Sequence, residues 1–264
     1  MSNKTALITG ASSGIGKAFA EELAQRNYDL VIIAPIETEL ELKGLQFSLE
    51  TKFSIKVTAI VKDLTQENAC QEIYAQVKNE NITIDLLINN AGFGDYGKFA
   101  TRPLPKLLNM IQLNISALVE LTYLFLQDMN ERGQGDIINV SSIAGFQPTP
   151  YLSVYGATKA FILFFSEALW AENQDNDINI LALCPGATST NFAKTAEFIP
   201  MATINPNDIA TPQKVVRRAL DALQAKQANV VTGNFSNQIA VNLSRFLPRE
   251  NVVKIIAQML GKNK

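Results

Sequence analysis

The chain has 264 residues, a formal net charge of −2, 47% apolar and 18% charged residues, which describes an ordinary globular protein with enough length for one large core. It contains no histidine, so a Ser-His-Asp triad, a Cys-His pair and a histidine-held metal are all excluded. Balanced charge without a basic cluster argues against a nucleic-acid partner, and two isolated cysteines, Cys70 and Cys184, point to a reduced, cytoplasmic protein.

The first apolar run, Met1 to Gly10, is too short for a secretory h-region, and no uninterrupted apolar stretch reaches the roughly 18 residues that span a bilayer. Thr5 to Thr9 reads as a buried strand that runs into Gly10, Ala11, Ser12, Ser13, Gly14, Ile15 and Gly16. A helix follows with Phe19, Leu23 and Ala24 on one face. Glycines admit close approach of backbone to a pyrophosphate, and the first N–H groups of a helix are free donors at a positive dipole end. Three chemistries use such a loop. A P-loop needs glycine at 11 and Ser or Thr at 18, where this chain has Ala11 and Ala18; a hydrolase elbow at Ser12 has no histidine to activate it. Dinucleotide binding remains.

Tyr28 to Ala34 is a strand without alternation, as expected of a parallel strand covered on both faces. Its end carries Pro35 and Ile36, neither the acid that binds a ribose 2′-hydroxyl nor the arginine that accommodates a 2′-phosphate. Glu37 to Thr51 reads as a helix with Leu40, Leu45 and Leu49 inward, and Ile55 to Val61 as a third strand leading to Asp63. Asp63 is placed either to accept from an adenine amino group or to start the turn before a helix over Gln66 to Asn79. Ile84 to Ile88 is the fourth strand; Asn89, Asn90, Ala91 and Gly92 at its end either stitch neighbouring strands beside a cofactor ribose or simply turn the chain. A long helix over Pro103 to Asn130 contains Asn114, whose amide can open a backbone carbonyl to water.

Asp136 to Ser141 is a further strand, and Ser142 after it offers a neutral hydroxyl to a substrate oxygen. Tyr151 to Asn173 reads as a helix carrying Tyr155 and Lys159, which at i and i+4 share one face. Two charges roughly 5 Å apart at an effective dielectric of about 20 interact by roughly 3 kcal/mol, about two pKa units in favour of phenolate. The spacing therefore predicts a phenol that serves as acid and base near neutrality. The same helix is apolar around most of its circumference, through Phe161, Phe164, Phe165, Leu169 and Trp170, which predicts one side against the sheet and the other against a second subunit. Ile178 to Cys184 is another strand, followed by Pro185, Gly186, Thr188 and Thr190, whose hydroxyls suit a carboxamide or phosphate. Asn191 to Asn205, with Phe192, Phe198, Ile199 and Met201, suits a lid over an apolar substrate. Asn207 opens a helix through Leu223, capped by Asn or Asp, and Val230 to Thr232 is a last strand. The segment from 235 to 264 mixes Ile239, Val241, Leu243, Phe246 and Leu247 with Arg245, Arg249 and Lys254; it covers the pocket in preference to lying on a membrane surface. Helices alternating with buried strands, without repeat or linker, predict one doubly wound α/β domain.

The glycine loop, Asn89 to Gly92, Asn114, Ser142, the Tyr155/Lys159 pair and Pro185 to Thr190 in this order resemble the short-chain dehydrogenase/reductase family, over about residues 4–233. The resemblance implies a Rossmann-type sheet of order 3-2-1-4-5-6-7 and a homodimer or homotetramer. It implies hydride exchange between a nicotinamide and a small carbonyl or alcohol. Tyr155 would then be the acid/base, Lys159 the group that lowers its pKa and holds the ribose, Ser142 the carbonyl-orienting hydroxyl and Asn114 the holder of a relay water. The cofactor groove would be lined by Gly10, Ser12, Ser13, Gly14, Ile15, Gly16, Asp63, Leu64, Asn90, Ala91, Gly92, Pro185, Gly186, Thr188 and Thr190. Pro35 departs from the family, whose NADP users often have arginine there and NAD users aspartate. NADP is favoured over NAD, because no carboxylate at 35 repels a 2′-phosphate. A catalytically silent nucleotide sensor or scaffold on the same fold is the alternative. Phe93, Tyr96, Phe146, Tyr151, Phe192 and Phe198 favour an apolar substrate.

Overall fold

The computed structural model describes residues 3–198, 205–234, 237–238, 241–242 and 246–261. Seven strands form one sheet in the order β3-β2-β1-β4-β5-β6-β7, every neighbouring pair parallel. They are β1 (Thr5–Thr9), β2 (Asp29–Ala34), β3 (Val57–Val61), β4 (Leu86–Asn89), β5 (Gln134–Val140), β6 (Asp177–Pro185) and β7 (Asn229–Thr232). The expected doubly wound sheet and its strand order are both present.

Unbroken apolar strands find a layer on each face. Leu30 and Ile32 of β2 face α1 (Gly14–Gln25), α2 (Glu39–Lys52) and the later helix over Pro212–Gln224. Val31 and Ile33 face α3 (Ala69–Asn79) and the helix over Leu118–Arg132. Both layers are apolar and closed to solvent, with Phe19 and Phe125 at 0% and 1% exposure. The inward stripe of α2 is Leu42, Leu45 and Leu49; Leu40, expected inside, is 85% exposed. Two residues of helix turn the side chain by about 200° from Leu42, and the hydrophobic stripe follows i, i+3, i+7.

The long helix expected over Pro103 to Asn130 is α4 (Leu104–Ile111), one π-helical stretch (Gln112–Ala117) and α5 (Leu118–Arg132). By length and hydropathy this run is apolar enough to cross a membrane. Here Leu121, Phe125 and Met129 pack into the layer beneath the sheet. Next come α6 (Ser153–Glu172), the single turn α7 (Phe192–Thr195), α8 (Pro212–Gln224) and α9 (Arg249–Gly261). The cap of α8 is Thr211, whose hydroxyl accepts from the Lys214 N–H, instead of Asn207, which lies in a separate 3₁₀ turn. Proline at position 212 explains the later start, since it favours the first helical turn and disfavours helix in the residue before it.

Because all strands are parallel, their carboxyl ends meet at one edge, and the order reverses between β1 and β4. Such a reversal opens a crevice at that edge. A buried amide chain braces the strands below it. Asn89 Nδ2 donates to Thr122 Oγ1 and Asn139 Oδ1, both at 2.9 Å, and Asn139 Nδ2 donates to Ser166 Oγ at 3.0 Å.

Candidate active site

The glycine turn leaves β1 with Gly10 and Gly14 in the left-handed region, at φ +64° and +56°. Gly16 is required by close approach: a Cβ there would lie 2.3 Å from the Gly10 carbonyl oxygen and 2.5 Å from Asn90 Nδ2. Asn90 occupies that space as a clip, donating to the Thr9 and Gly10 carbonyls at 2.9 and 3.1 Å. Thr9 completes it by accepting at Oγ1 from the N–H groups of Asn90 and Ala91, both at 2.9 Å. The amides after β4 thus stitch the strands. The part played by Thr9 was not visible in the sequence, because its partners lie some eighty residues away.

Helix α1 begins at this turn with Ser13 extended before it, no side-chain cap and no acidic residue in its first turn. Its free N–H groups and dipole are therefore open to a pyrophosphate, and the residues present fit a dinucleotide. Thr190 packs across the loop, its methyl 3.2 Å from where a Gly14 Cβ would stand. Gly186 and Thr188 turn the chain there: Gly186 N–H donates to Thr232 O at 3.1 Å, and Thr188 Oγ1 to Gly186 O at 2.9 Å. Not every residue expected on the cofactor offers a side chain. Leu64 is buried in one apolar layer and Ile15 packs against the other. Asp63 accepts at Oδ1 from the Thr65 N–H and hydroxyl at 2.9 and 2.8 Å and at Oδ2 from Gln66 at 3.1 Å. Of its two readings, the turn is what these bonds build. Burial pushes its carboxyl up, and the hydrogen bonds outweigh it, so the pKa lies below the ordinary value.

Beyond the loop, β5 delivers Ser142 and α6 delivers Tyr155 and Lys159. Ser142 is extended (φ −169°), accepts from the Ala144 N–H at 3.1 Å and stands close enough to the Tyr155 phenol to favour its ionised form. Lys159 is 5% exposed; its Nζ donates to the Val140 carbonyl at 2.8 Å and stands 5.7 Å from the centre of the Tyr155 ring. The structure brings the pair together as the i,i+4 spacing requires, but the expected direction of the phenol's shift is corrected. Burial pushes Tyr155 up to about 12 against the Ser142 hydroxyl, and burial pushes Lys159 down to about 8 against the nearby Cys184. Desolvation dominates both shifts because both groups lie inside, and the ammonium is engaged by a backbone carbonyl.

Asn114 sits in the π-helical stretch, where Nδ2 donates to Phe93 O and Thr158 Oγ1, both at 3.0 Å, and Oδ1 accepts from Phe93 N–H at 3.1 Å. A Cβ on Gly92 would fall 2.8 Å from Asn114 Oδ1 and 3.6 Å from Lys159 Nζ, so glycine lets those two side chains meet the backbone. Thr158 joins Asn114 to α6; nothing in the sequence distinguished it from its helical neighbours.

An aromatic cover closes the site. Phe192 of α7 lies over Tyr155 with ring centroids 5.1 Å apart, and Tyr96 stacks edge-on against Phe198 at 5.5 Å. Phe93 and Phe198 belong to this cluster; Phe146 packs elsewhere, beside Leu163 and Cys184. The lid expected over Asn191 to Asn205 is seen through Phe198, while Ile199 and Met201 lie outside the described residues. The cover is fastened by ions. Asp95, fully buried in its side chain, pairs with Arg102 at 2.5 Å and Lys106 at 2.6 Å, and these reach Glu197 of the lid at 3.2 and 3.4 Å. Helix α9 covers the rim, with Tyr96 Oη donating to the Leu260 carbonyl at 2.5 Å. Of the C-terminal residues singled out, Ile239, Leu243 and Arg245 lie outside the described residues.

A family model described as short chain dehydrogenase matches residues 4–198. Among curated proteins, the very-long-chain 3-oxoacyl-CoA reductase of Rattus norvegicus is 31% identical over 98% of this chain and 79% of its own. The very-long-chain 3-oxoacyl-CoA reductase-B of Danio rerio is 34% identical over 83% of this chain and 68% of its own. Among solved structures, a short-chain dehydrogenase from Sphingobium yanoikuyae in complex with NADPH superposes with a TM-score of 0.81 at 32% identity, covering 92% of this chain and 94% of that one. A bulky-bulky ketone specific alcohol dehydrogenase from Comamonas testosteroni gives a TM-score of 0.78 at 29% identity over 93% of each chain. With the family model covering most of the chain, this protein belongs to the short-chain dehydrogenases and is an oxidoreductase.

Proposed function

We propose that the enzyme reduces an apolar 3-oxoacyl thioester with NADPH, Tyr155 giving the proton. The observation that carries this reading is the Tyr155 phenol, set beside the Lys159 ammonium and under an aromatic cover at the end of the crevice. The curated relatives are named for 3-oxoacyl-CoA reduction and the Sphingobium structure for its NADPH; aromatic walls suit a fatty chain.

The α1 N-terminus and the Gly10 to Gly16 loop would hold the pyrophosphate, and Lys159 beside Gly92 would hold the ribose. When bound, NADPH supplies the hydride. Ser142 Oγ orients the substrate carbonyl oxygen, and Tyr155 Oη releases its proton to that oxygen as it becomes an alkoxide. A secondary alkoxide is more basic than a phenolate, so a phenol held at about 12 still transfers its proton downhill. Lys159 stabilises the phenolate left behind, and the cover excludes water.

The reading includes a homodimer or homotetramer. Phe164 and Tyr123 on the outer faces of α6 and α5 are 66% and 62% exposed, and Phe161 stacks on Phe165 beside them. A monomeric mass in light scattering at micromolar concentration overturns that part.

The test is a thioester series of rising acyl length, followed at the nicotinamide absorbance with NADPH and NADH. Wild type should consume NADPH preferentially, and Tyr155→Phe should lose roughly 10²–10⁴-fold in kcat while still binding NADPH. Turnover unaffected by Tyr155→Phe, or no thioester reduced, overturns the proposal.

A further inference from the structure

A cavity of about 690 Å³ lies on the outer side of the lid, with Tyr96, Tyr151 and Phe198 as its apolar wall and Lys98, Arg102 and Lys194 among its polar lining. Its size is that of a small-molecule site. It adjoins the catalytic cover: α7 presents Phe192 to Tyr155 and Lys194 to this cavity. The Tyr96 N–H donates to the Ala196 carbonyl at 2.8 Å, tying the strand-end loop to the lid, so that Lys98 and Lys194, nearly a hundred residues apart in sequence, border one opening.

The cations there are not equivalent. Arg102 and Lys106 are matched by Asp95 and Glu197. Lys98 and Lys194 are exposed, and among the described residues neither has an ion pair with a carboxylate. Four cations against two carboxylates leave a local excess of two positive charges, in a chain whose net charge is −2. An aromatic-walled cavity with a doubly positive rim selects a molecule that is apolar at one end and multiply anionic at the other. Lysines suit phosphate, which they bind as point charges without a fixed fork.

We propose that Lys98 and Lys194 form an anion subsite for the phosphates of the substrate's pantetheine-type carrier, while the acyl chain runs beneath the lid toward Tyr155. This rests on the thioester reading above and assigns the residues that would tell a phosphorylated carrier from a neutral one. Neither lysine touches the reacting atoms; both act on substrate affinity.

The experiment compares one 3-oxoacyl chain presented on coenzyme A, on phosphopantetheine and on uncharged pantetheine, in wild type and in Lys98→Glu/Lys194→Glu. Wild type should favour the coenzyme A thioester over the pantetheine thioester in kcat/KM, through KM. The double variant should lower that ratio at least about tenfold, as loss of charge-assisted contacts does. Raising the salt concentration should lower the wild-type ratio and raise that of the variant, whose rim carries two net negative charges. Preference for the phosphopantetheine thioester equal to that for coenzyme A assigns the subsite to the pantetheine phosphate; preference for coenzyme A alone assigns it to the nucleotide phosphates. A wild-type ratio near one, or a ratio unmoved in the variant, overturns the subsite while the thioester reading stands. Failure of wild type to reduce any of the three overturns both.

Discussion

Lys159 Nζ is hydrogen-bonded to the Val140 carbonyl, on the strand that precedes Ser142, while the Tyr155 ring lies beside it at 5.7 Å. The ammonium is thereby fixed at the rear of the phenol, in a place where burial opposes its charge.

That burial has a pH signature. The Lys159 pKa falls from 10.5 in the unfolded chain to about 8 in the fold. Above about 8 the folded lysine releases a proton that the unfolded one keeps, so unfolding becomes harder as pH rises. The thiols of Cys70 and Cys184, pushed up to about 12 from 9.0, act in the opposite sense around and above 9. Lys159 is already half-deprotonated at pH 8 and the thiols begin to oppose it before pH 9, so between these values wild type should gain about 1 kcal/mol relative to Lys159→Met. Lys159→Met should show no such gain. Denaturant midpoints at the two pH values check it, and parallel behaviour of the two proteins refutes it.

Asn114 satisfies both backbone groups of Phe93 and takes one bond with Thr158. Asn114→Leu should leave these groups buried without partners and lower stability by about 2–4 kcal/mol. Thr158→Val should cost less, about 1–2 kcal/mol, and Thr158→Ser should restore most of it. Urea unfolding measures all three; a Thr158→Ser protein as weak as Thr158→Val would show that the methyl, and not the hydroxyl, matters.

Gly16→Ala sets two effects against each other. Alanine favours a helix by about 1 kcal/mol over glycine. Its methyl, however, would stand 2.3 Å from the Gly10 carbonyl oxygen, and that backbone must move. The displaced loop should lose at least about tenfold in NADPH affinity while far-ultraviolet dichroism stays native. Unchanged affinity in a fluorescence titration would remove the Gly16 contact from the account of the cofactor loop.

Phe192 covers Tyr155, and burial is the main cause of the phenol's pKa of about 12. Phe192→Ala should bring that value down toward 10.0. An ultraviolet difference titration of Phe192→Ala against Phe192→Ala/Tyr155→Phe isolates the one phenol. A value still near 12 would mean that other walls keep water out.

The strands, the glycine turn and the Tyr155/Lys159 pair were legible because each is a local pattern: apolar runs such as Leu30 to Ile33, glycines at a strand end, and two residues one helical turn apart; the order of the strands in the sheet came only with the family resemblance. What stayed hidden depends on distance or on water. Glu197 meets Arg102 and Lys106, the partners of Asp95, from more than ninety residues further along the chain, and no spacing announces the cluster. The sign of the Tyr155 shift was misread because sequence gives the separation of two charges and says nothing of the dielectric around them. Leu40 was misplaced because several leucines in α2 compete for one stripe.

The π-helical stretch at Gln112–Ala117 holds one residue more per turn than its flanks do. Excising a single amino acid from it would let ordinary helical pairing heal without a gap. Six residues of the wide turn rotate the chain by about as much as five α-helical ones, roughly 500°, so Phe125 and Met129 would keep their places against the strands and only the bulge that carries Asn114 would be lost. The irregularity therefore accommodates one added amino acid, Asn114 reaching Phe93 and Thr158 from it, without disturbing how either half of the helix packs.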